Sequence, residues 1–315
     1  MEASIQATDI PDNLHGLLLA RIDCLSEEVK HTLRVASVIG RQFSTNLLEQ
    51  VLGSEEAGNW LVSHLGALES AGLTRVAQVT PDLTYVFQSA LLHEVAYSSR
   101  LKADRSRLHQ AVGETLEDLY PDQLTSLEMA TRLAQHFFAA DDTLRAFKYY
   151  ALAGDAALAS YANLEAESRF RKALTLAGSD SERAPLLFAL GKALAGQSRS
   201  EESIRIWREA IDLYRTIEPE NSENVARLYA YSARAAWQGG NTPRSLTLCQ
   251  EGLKVVTDTP DSLGLAHLIH EAARAYLFNG YVEDARRLGQ QALEMAERLG
   301  AVDVQVDTLA TMGLL

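Results

Sequence analysis

Small residues recur in the second half of the chain at fixed offsets, and that recurrence limits the folds open to it. Gly154, Gly191, Ala233 and Ala273 are each followed 12 residues later by Ala166, Ser203, Ser245 and Ala285. Four residues further on stand Phe170, Trp207, Cys249 and Gly289, and three beyond those come Ala173, Ala210, Gly252 and Ala292. Successive registers are 37, 42 and 40 residues apart. Small side chains at a helix contact let two axes approach closely, so the pattern predicts helices that pair at these points. Turn formers lie between them, including Gly239-Gly240-Asn241-Thr242-Pro243 and Asn279-Gly280, with Thr242 then Pro243 as an N-cap and first-turn pair. The spacing predicts helix pairs at 143–161 with 163–177, 182–197 with 201–216, 222–239 with 243–257, and 262–279 with 282–299.

These offsets, with an aromatic such as Phe170 or Trp207 between the small residues, resemble the tetratricopeptide pattern, although the period exceeds its usual ~34 residues. One such hairpin leaves its apolar stripe uncovered, so neighbours must stack into an α-α superhelix with a concave face. An Ala-rich helical bundle is the competing reading. The next register falls at Gly313, so the chain is expected to stop inside a fifth repeat and to be a fragment of a longer protein.

The first 120 residues read differently. Ser26-Glu27-Glu28 opens a helix whose apolar residues Val29, Leu33, Ala36 and Ile39 follow helical spacing up to Gly40. A second helix is expected through Thr45–Leu52 and a third from about Glu55 to Ser70, ended by Gly72. Leu73–Val79 and Leu83–Phe87 read as a hairpin around Thr80-Pro81-Asp82. Helices carrying Leu91, Leu92, Val95 and Ala96, and then Leu108, Val112, Leu116 and Leu119, follow. Three helices and a hairpin in that order predict a small winged-helix-like module.

Such modules often contact DNA, which makes charge the deciding quantity. Residues 1–120 hold 9 Lys and Arg against 16 Asp and Glu, a net of −7, and their one basic cluster is Arg100, Lys102, Arg105 and Arg107. The whole chain carries a net charge of −13. Phosphate backbones and anionic lipids would both be repelled, so neither nucleic acid nor membrane is an expected partner. No apolar run reaches membrane-spanning length, and Met-Glu-Ala-Ser-Ile-Gln has no basic or apolar region of a signal peptide. Cys24 and Cys249, the two cysteines, lie in unrelated segments, so a reducing cytoplasmic setting is expected.

Several segments resemble a known family: Ile10-Pro11-Asp12-Asn13-Leu14, Ala20-Arg21-Ile22-Asp23-Cys24-Leu25, Ala36-Ser37-Val38-Ile39-Gly40-Arg41-Gln42-Phe43, Tyr85 through Tyr97, Arg107-Leu108-His109, and Ala134-Gln135-His136-Phe137. In this order they are similar to the region after the ATPase core in bacterial signal-transduction ATPases with numerous domains, the STAND type, linked to adenylate or guanylate cyclase domains or to LuxR-type regulator modules. The resemblance implies a winged helix that latches against the chain's own ATPase core and repeats that sense a partner or inducer. It covers about residues 10–175. The family tends to carry a histidine after the second strand of the hairpin, where this chain has Ser89.

No chemistry-bearing constellation accompanies it. G-x-x-x-x-G-K-[ST] is absent, and Gly196-Gln197-Ser198-Arg199-Ser200 lacks the second glycine and the lysine that cradle phosphates. His267 and His270 share a one-turn spacing, yet two ligands do not make a metal site. Asp141-Asp142 precedes a helix at Thr143, where carboxylates cap and favour the dipole. Accordingly no catalytic residue, cofactor or metal is expected. The sharper expectation is a binding stripe beside the small register on the first helix of each repeat: Lys192, Arg227, Arg234, Trp237, His270 and Arg274. A basic groove with one indole suits an acidic peptide or protein surface, a solvated helix face being the competing reading.

The sequence therefore predicts a mainly α chain. Residues 1–120 form a winged-helix-like regulatory module that includes the end of an ATPase lid, 121–142 a connecting helix, and 143–315 a tetratricopeptide-like array. The expected function is a non-catalytic regulatory and interaction fragment of a multidomain signalling ATPase. A free-standing adaptor and a DNA-contacting transcription regulator are the alternatives.

Overall fold

The structure is a computed structural model that describes residues 12–53, 57–219, 222–256 and 260–314. Ile10, Pro11, Glu55 and Leu315, named above, lie outside the described residues. The chain divides into two units, with the division after Ala146, and each is taken by itself. Among the described residues no helix is long and apolar enough to cross a membrane.

The first unit runs α1 (Asp12–Asp23), α2 (Glu27–Ile39), β1 (Gln42–Ser44), α3 (Thr45–Leu52), α4 (Ala57–Ser70), β2 (Thr74–Gln78), β3 (Thr84–Phe87), α5 (Ala90–Ser98), α6 (Lys102–Leu119), a short 3-10 turn (Pro121–Gln123) and α7 (Leu127–Ala139). Serine side chains set four of the helix starts: Ser26, Ser44, Ser89 and Ser126 each accept a hydrogen bond from the backbone N–H three residues on. The position where the resembled family tends to carry histidine is thus a helix N-cap here. The hairpin is as expected, but the sheet has three antiparallel strands in the order β1-β3-β2, with Phe43 opposite Tyr85 and Val76 opposite Tyr85 on the other side. Strand β1 was not expected, because three residues offer no alternation to read. What holds it is Phe43, buried edge-on against Phe87 with ring centroids 5.8 Å apart. Leu33, Ala36, Leu48, Leu68, Leu73 and Val95 close the core between helices and sheet.

Helix α7 does more than connect. It packs on α6, and Gly113 there faces the Phe137 ring so closely that a Cβ would lie 2.7 Å from its carbons. Arg145 ties the end of this unit together through Glu114 (2.9 Å), Glu117 (3.2 Å) and Asp142 (2.7 Å). Asp142 also accepts the Arg145 N–H, which makes it a cap, as its position before a helix implied.

The second unit, which starts within α8, consists of tetratricopeptide-like helix pairs: α8 (Thr143–Ala159) with α9 (Asn163–Leu176), α10 (Asp180–Ala195) with α11 (Ser200–Ile217), α12 (Glu223–Gln238) with α13 (Thr242–Val255), and α14 (Leu263–Phe278) with α15 (Val282–Leu299). A further helix, α16 (Val302–Met312), occupies the fifth register. The cap of α13 is Asn241 rather than Thr242; its side chain accepts from the Arg244 N–H, with Pro243 in the first turn. All the small residues of the three registers are buried. In the first two repeats the register is glycine because an aromatic lies over it. A Cβ on Gly154 would stand 2.5 Å from the Phe170 ring, and Gly191 faces Trp207, whose Nε1 donates to the Phe188 carbonyl at 3.0 Å.

Each pair turns through one residue in the left-handed region, seven beyond the small register: Tyr161, Ser198, Gly240 and Gly280. The next N–H then donates to the carbonyl five residues back, as in Ala162 to Ala157 (2.9 Å) and Asn241 to Ala236 (2.9 Å). Glycine adopts that conformation without the Cβ clash that Tyr161 and Ser198 bear. Among the first helices, α14 packs on α12, and Phe188 and Lys192 of α10 meet Tyr231 of α12, so that matching registers form neighbouring rows.

Candidate functional site

The six residues of the expected binding stripe lie on α10, α12 and α14, and the structure divides them into two groups. In the first, Lys192 and Arg227 both lie against Phe188: the ammonium sits 4.6 Å from that ring centroid and 5.0 Å from the Tyr231 ring, and the Arg227 guanidinium 5.3 Å from Phe188. Cation–π contact holds both side chains without cancelling their charge. Beside Lys192 opens a cleft of about 590 Å³, bordered by Tyr161, Asn163, Tyr231, Arg234 and Gln238.

The second group is internally neutralised. Arg234 bonds Glu271 at 2.6 Å and Asp307 at 2.9 Å, and Arg274 bonds the other oxygen of Glu271. Arg274 also lies 4.3 Å over Trp237, whose indole packs on Phe278 at 5.5 Å. Glu271 is buried among them. Desolvation pushes its carboxyl upward and the Arg274 guanidinium downward, while Arg234, against its own desolvation, is pushed upward by Glu271. His270 does not face the surface at all: it is 1 % exposed and shares a 3.2 Å hydrogen bond between Nδ1 and Thr308. Burial, then the charge of Arg274, lowers its pKa to about 4, so it is neutral. The continuous basic stripe expected from the sequence is therefore two accessible cations, Lys192 and Arg227, followed by an ion cluster.

One geometric relation explains the difference. The residue just after the small register of one repeat meets the residue two before the register of the next. Lys192 meets Tyr231 by this rule, and Arg234 meets Glu271. A tyrosine there leaves the cation charged and reachable, whereas a glutamate cancels it. Phe188, Tyr231, Glu271 and Asp307 were all missed, although comparison of registers between neighbouring repeats would have exposed the Arg234–Glu271 match.

In the first unit the structure gives a reason for two of the segments singled out above. His109 and His136 are buried and joined Nδ1 to Nδ1 at 2.9 Å, and Tyr97 shares a 3.0 Å bond with the other nitrogen of His109. Desolvation lowers their pKa values to about 4 and about 3. This neutral polar chain pins α5, α6 and α7 together rather than presenting a reactive group. Within the Arg100–Arg107 run, Arg105 is turned onto the Tyr97 ring at 4.7 Å, while Lys102 and Arg107 are exposed. His267 faces Asp303 at 3.5 Å, and among the described residues no three His, Cys, Asp or Glu side chains gather as a metal would require. Cys24 is exposed, while Cys249 is buried with its thiol pushed well up by desolvation.

No protein-family model matches the chain, and a search of curated proteins finds no match. Solved structures do resemble it. Aspartyl phosphate phosphatase F from Bacillus subtilis is 9 % identical, with a TM-score of 0.52 over 95 % of this chain and 73 % of its own. BtubC from P. vanneervenii is 19 % identical over 62 % of this chain and 82 % of its own, with a TM-score of 0.46. A signal-transduction ATPase with numerous domains and a tetratricopeptide repeat sensor, from Pyrococcus horikoshii, is 13 % identical at a TM-score of 0.38; the match covers 95 % of this chain and 48 % of that one. At these identities the likeness is one of fold: stacked helical pairs of tetratricopeptide type.

Proposed function

We propose that this chain is a non-catalytic interaction module whose repeat groove takes an acidic peptide or protein segment at Lys192 and Arg227. The observation that carries this reading is the pair of cations stacked on one aromatic, Phe188, with Lys192 at the edge of an open cleft, while neighbouring cations of the same stripe are neutralised. A stacked cation is fixed in place yet retains its N–H donors for an incoming carboxylate, and an acidic protein with a local basic site attracts its ligand by charge and rejects most other surfaces. The segments that resemble the signalling ATPases support a wider setting: the first unit would act as a winged-helix-like latch on an ATPase core, and the repeats would report the partner to it. Fluorescence anisotropy with labelled dodecapeptides rich in Glu and Asp, some carrying one aromatic residue, tests the groove. Saturable binding that weakens at least about tenfold in Lys192→Glu or Arg227→Glu, and that falls with added salt, is expected. Equal affinity in both variants would remove the site.

A further inference from the structure

A second cationic feature lies in the first unit. His31 and Arg34 stand one turn apart on α2, and Arg100 follows the end of α5. Arg100 donates from Nη2 to Nδ1 of His31 at 2.6 Å. That bond fixes His31 as an acceptor at Nδ1, which leaves its N–H on Nε2. The Nε atoms of Arg34 and Arg100 are both buried without a hydrogen-bond partner. Arg100 is desolvated and feels the charge of Arg34, and the carboxylate that reaches it electrostatically, Asp104, makes no ion pair with it. Glu27 on α2 feels the charge of Arg34 but is bonded to Lys30 at 2.9 Å.

Two half-buried guanidiniums side by side, with no paired carboxylate among the described residues, are an unfavourable arrangement for an isolated protein, all the more where acids outnumber bases so heavily. Most arginines elsewhere in the chain are paired or stacked: Arg145 holds three carboxylates, Arg199 two, and Arg105 covers a tyrosine. We infer that Arg34, Arg100 and His31 form a binding site for a phosphate group. A phosphate dianion offsets both charges, and its several oxygens can meet two guanidinium forks and an imidazole N–H together, which a single carboxylate cannot. Helix α6 starts directly after Arg100, and its N-cap, Leu101, has no side-chain acceptor, so the positive end of that helix adds to the field.

His31 also borders a neighbouring cavity of about 590 Å³ with Thr32, Trp60 and His64, in which the Trp60 and His64 rings lie 4.8 Å apart. The cavity gives room for the organic part of a phosphate monoester against an indole. Glu27 and Glu28 also line it and disfavour further negative charge there. A monoester with an uncharged planar group therefore fits better than a polyphosphate.

Isothermal titration of the full chain with sodium phosphate, and separately with phenyl phosphate, tests the inference at low ionic strength. One saturable site is expected. Binding by the ester would identify the ligand as a phosphate monoester, and binding by inorganic phosphate alone would identify the free ion. In either case the affinity should drop at least about tenfold in Arg34→Gln and in Arg100→Gln, with the far-ultraviolet circular dichroism unchanged. Arg100→Lys keeps the charge without the fork and should fall between wild type and Arg100→Gln. No saturable binding of either probe, or equal affinity in both glutamine variants, would overturn the site.

Discussion

Adding one methyl group at Gly191 is the most direct perturbation of the repeat packing. A Cβ there would come within 2.5 Å of Cδ1 and Cε2 of Trp207, far inside van der Waals contact. Trp207 has little room to retreat, being 1 % exposed and tethered to the Phe188 carbonyl by its Nε1. Overpacking of this kind costs about 1–3 kcal/mol. Losing the indole hydrogen bond adds about 0.5–1.5 kcal/mol. Alanine in place of glycine in a helix returns about 1 kcal/mol. The net expectation for Gly191→Ala is a loss of about 0.5–3.5 kcal/mol. Gly289 supplies the comparison: its Cβ would meet Cγ and Sδ of Met312 at 3.0 and 3.3 Å, and a methionine can rotate aside. The helix propensity gain then roughly offsets the crowding, and Gly289→Ala should change stability by less than about 0.5 kcal/mol. Urea unfolding followed by both circular dichroism and tryptophan emission measures the two. If Gly191→Ala proved as stable as Gly289→Ala, the close contact between the small register and the aromatic would not be what holds the repeats.

Glu271 and the buried histidines give two further tests. Glu271→Ala leaves Arg274 and Arg234 without their shared carboxylate and should cost about 3–5 kcal/mol, whereas replacing Arg234, Glu271 and Arg274 together by Met, Leu and Met should recover most of it in urea unfolding. His109, His136 and His270 have folded pKa values lowered to about 4, about 3 and about 4, so the unfolded chain binds their protons first as pH falls. Their contribution is complete above the unfolded value near 6.5 and is lost on acidification towards 4, by about 2 kcal/mol for each histidine between pH 7 and pH 5. The depressed carboxylates, such as Glu167, lose their contribution only at lower pH. Urea midpoints at pH 7 and pH 5 check this, and His109→Gln/His136→Gln should flatten the slope; equal midpoints for the wild type would contradict the buried neutral pair.

The helical pairs were legible because their cause is local in sequence: a small residue every 37 to 42 positions, a partner 12 further on, and a turn between. The helix start at Ser26 announces itself in the same way, through a side chain and an N–H three residues apart, whereas the caps at Ser44 and Ser89 were not read. Strand β1 was invisible, since its three residues exist through pairing with β3, 40 to 44 residues later. The pairing of α6 with α7 was hidden by the 24 residues between Gly113 and Phe137, against 16 in the pairs that repeat. At the candidate groove the positions were legible but their charge state was not. Arg234 and Arg274 look like free cations until Glu271, on the next repeat for one and a turn away for the other, is brought between them. His270 has the register of a groove residue, yet α16 covers it through Thr308.

The central claim is that the groove binds at the rows formed by α10 and α12. Hydrogen–deuterium exchange of the full chain, with and without a saturating acidic dodecapeptide selected by anisotropy, examines it directly. The account predicts slowed exchange in α10 and α12 around Phe188, Lys192, Arg227 and Tyr231, with α11 and α13 unchanged. Protection confined to α11 and α13, or to residues 12–139, would contradict it.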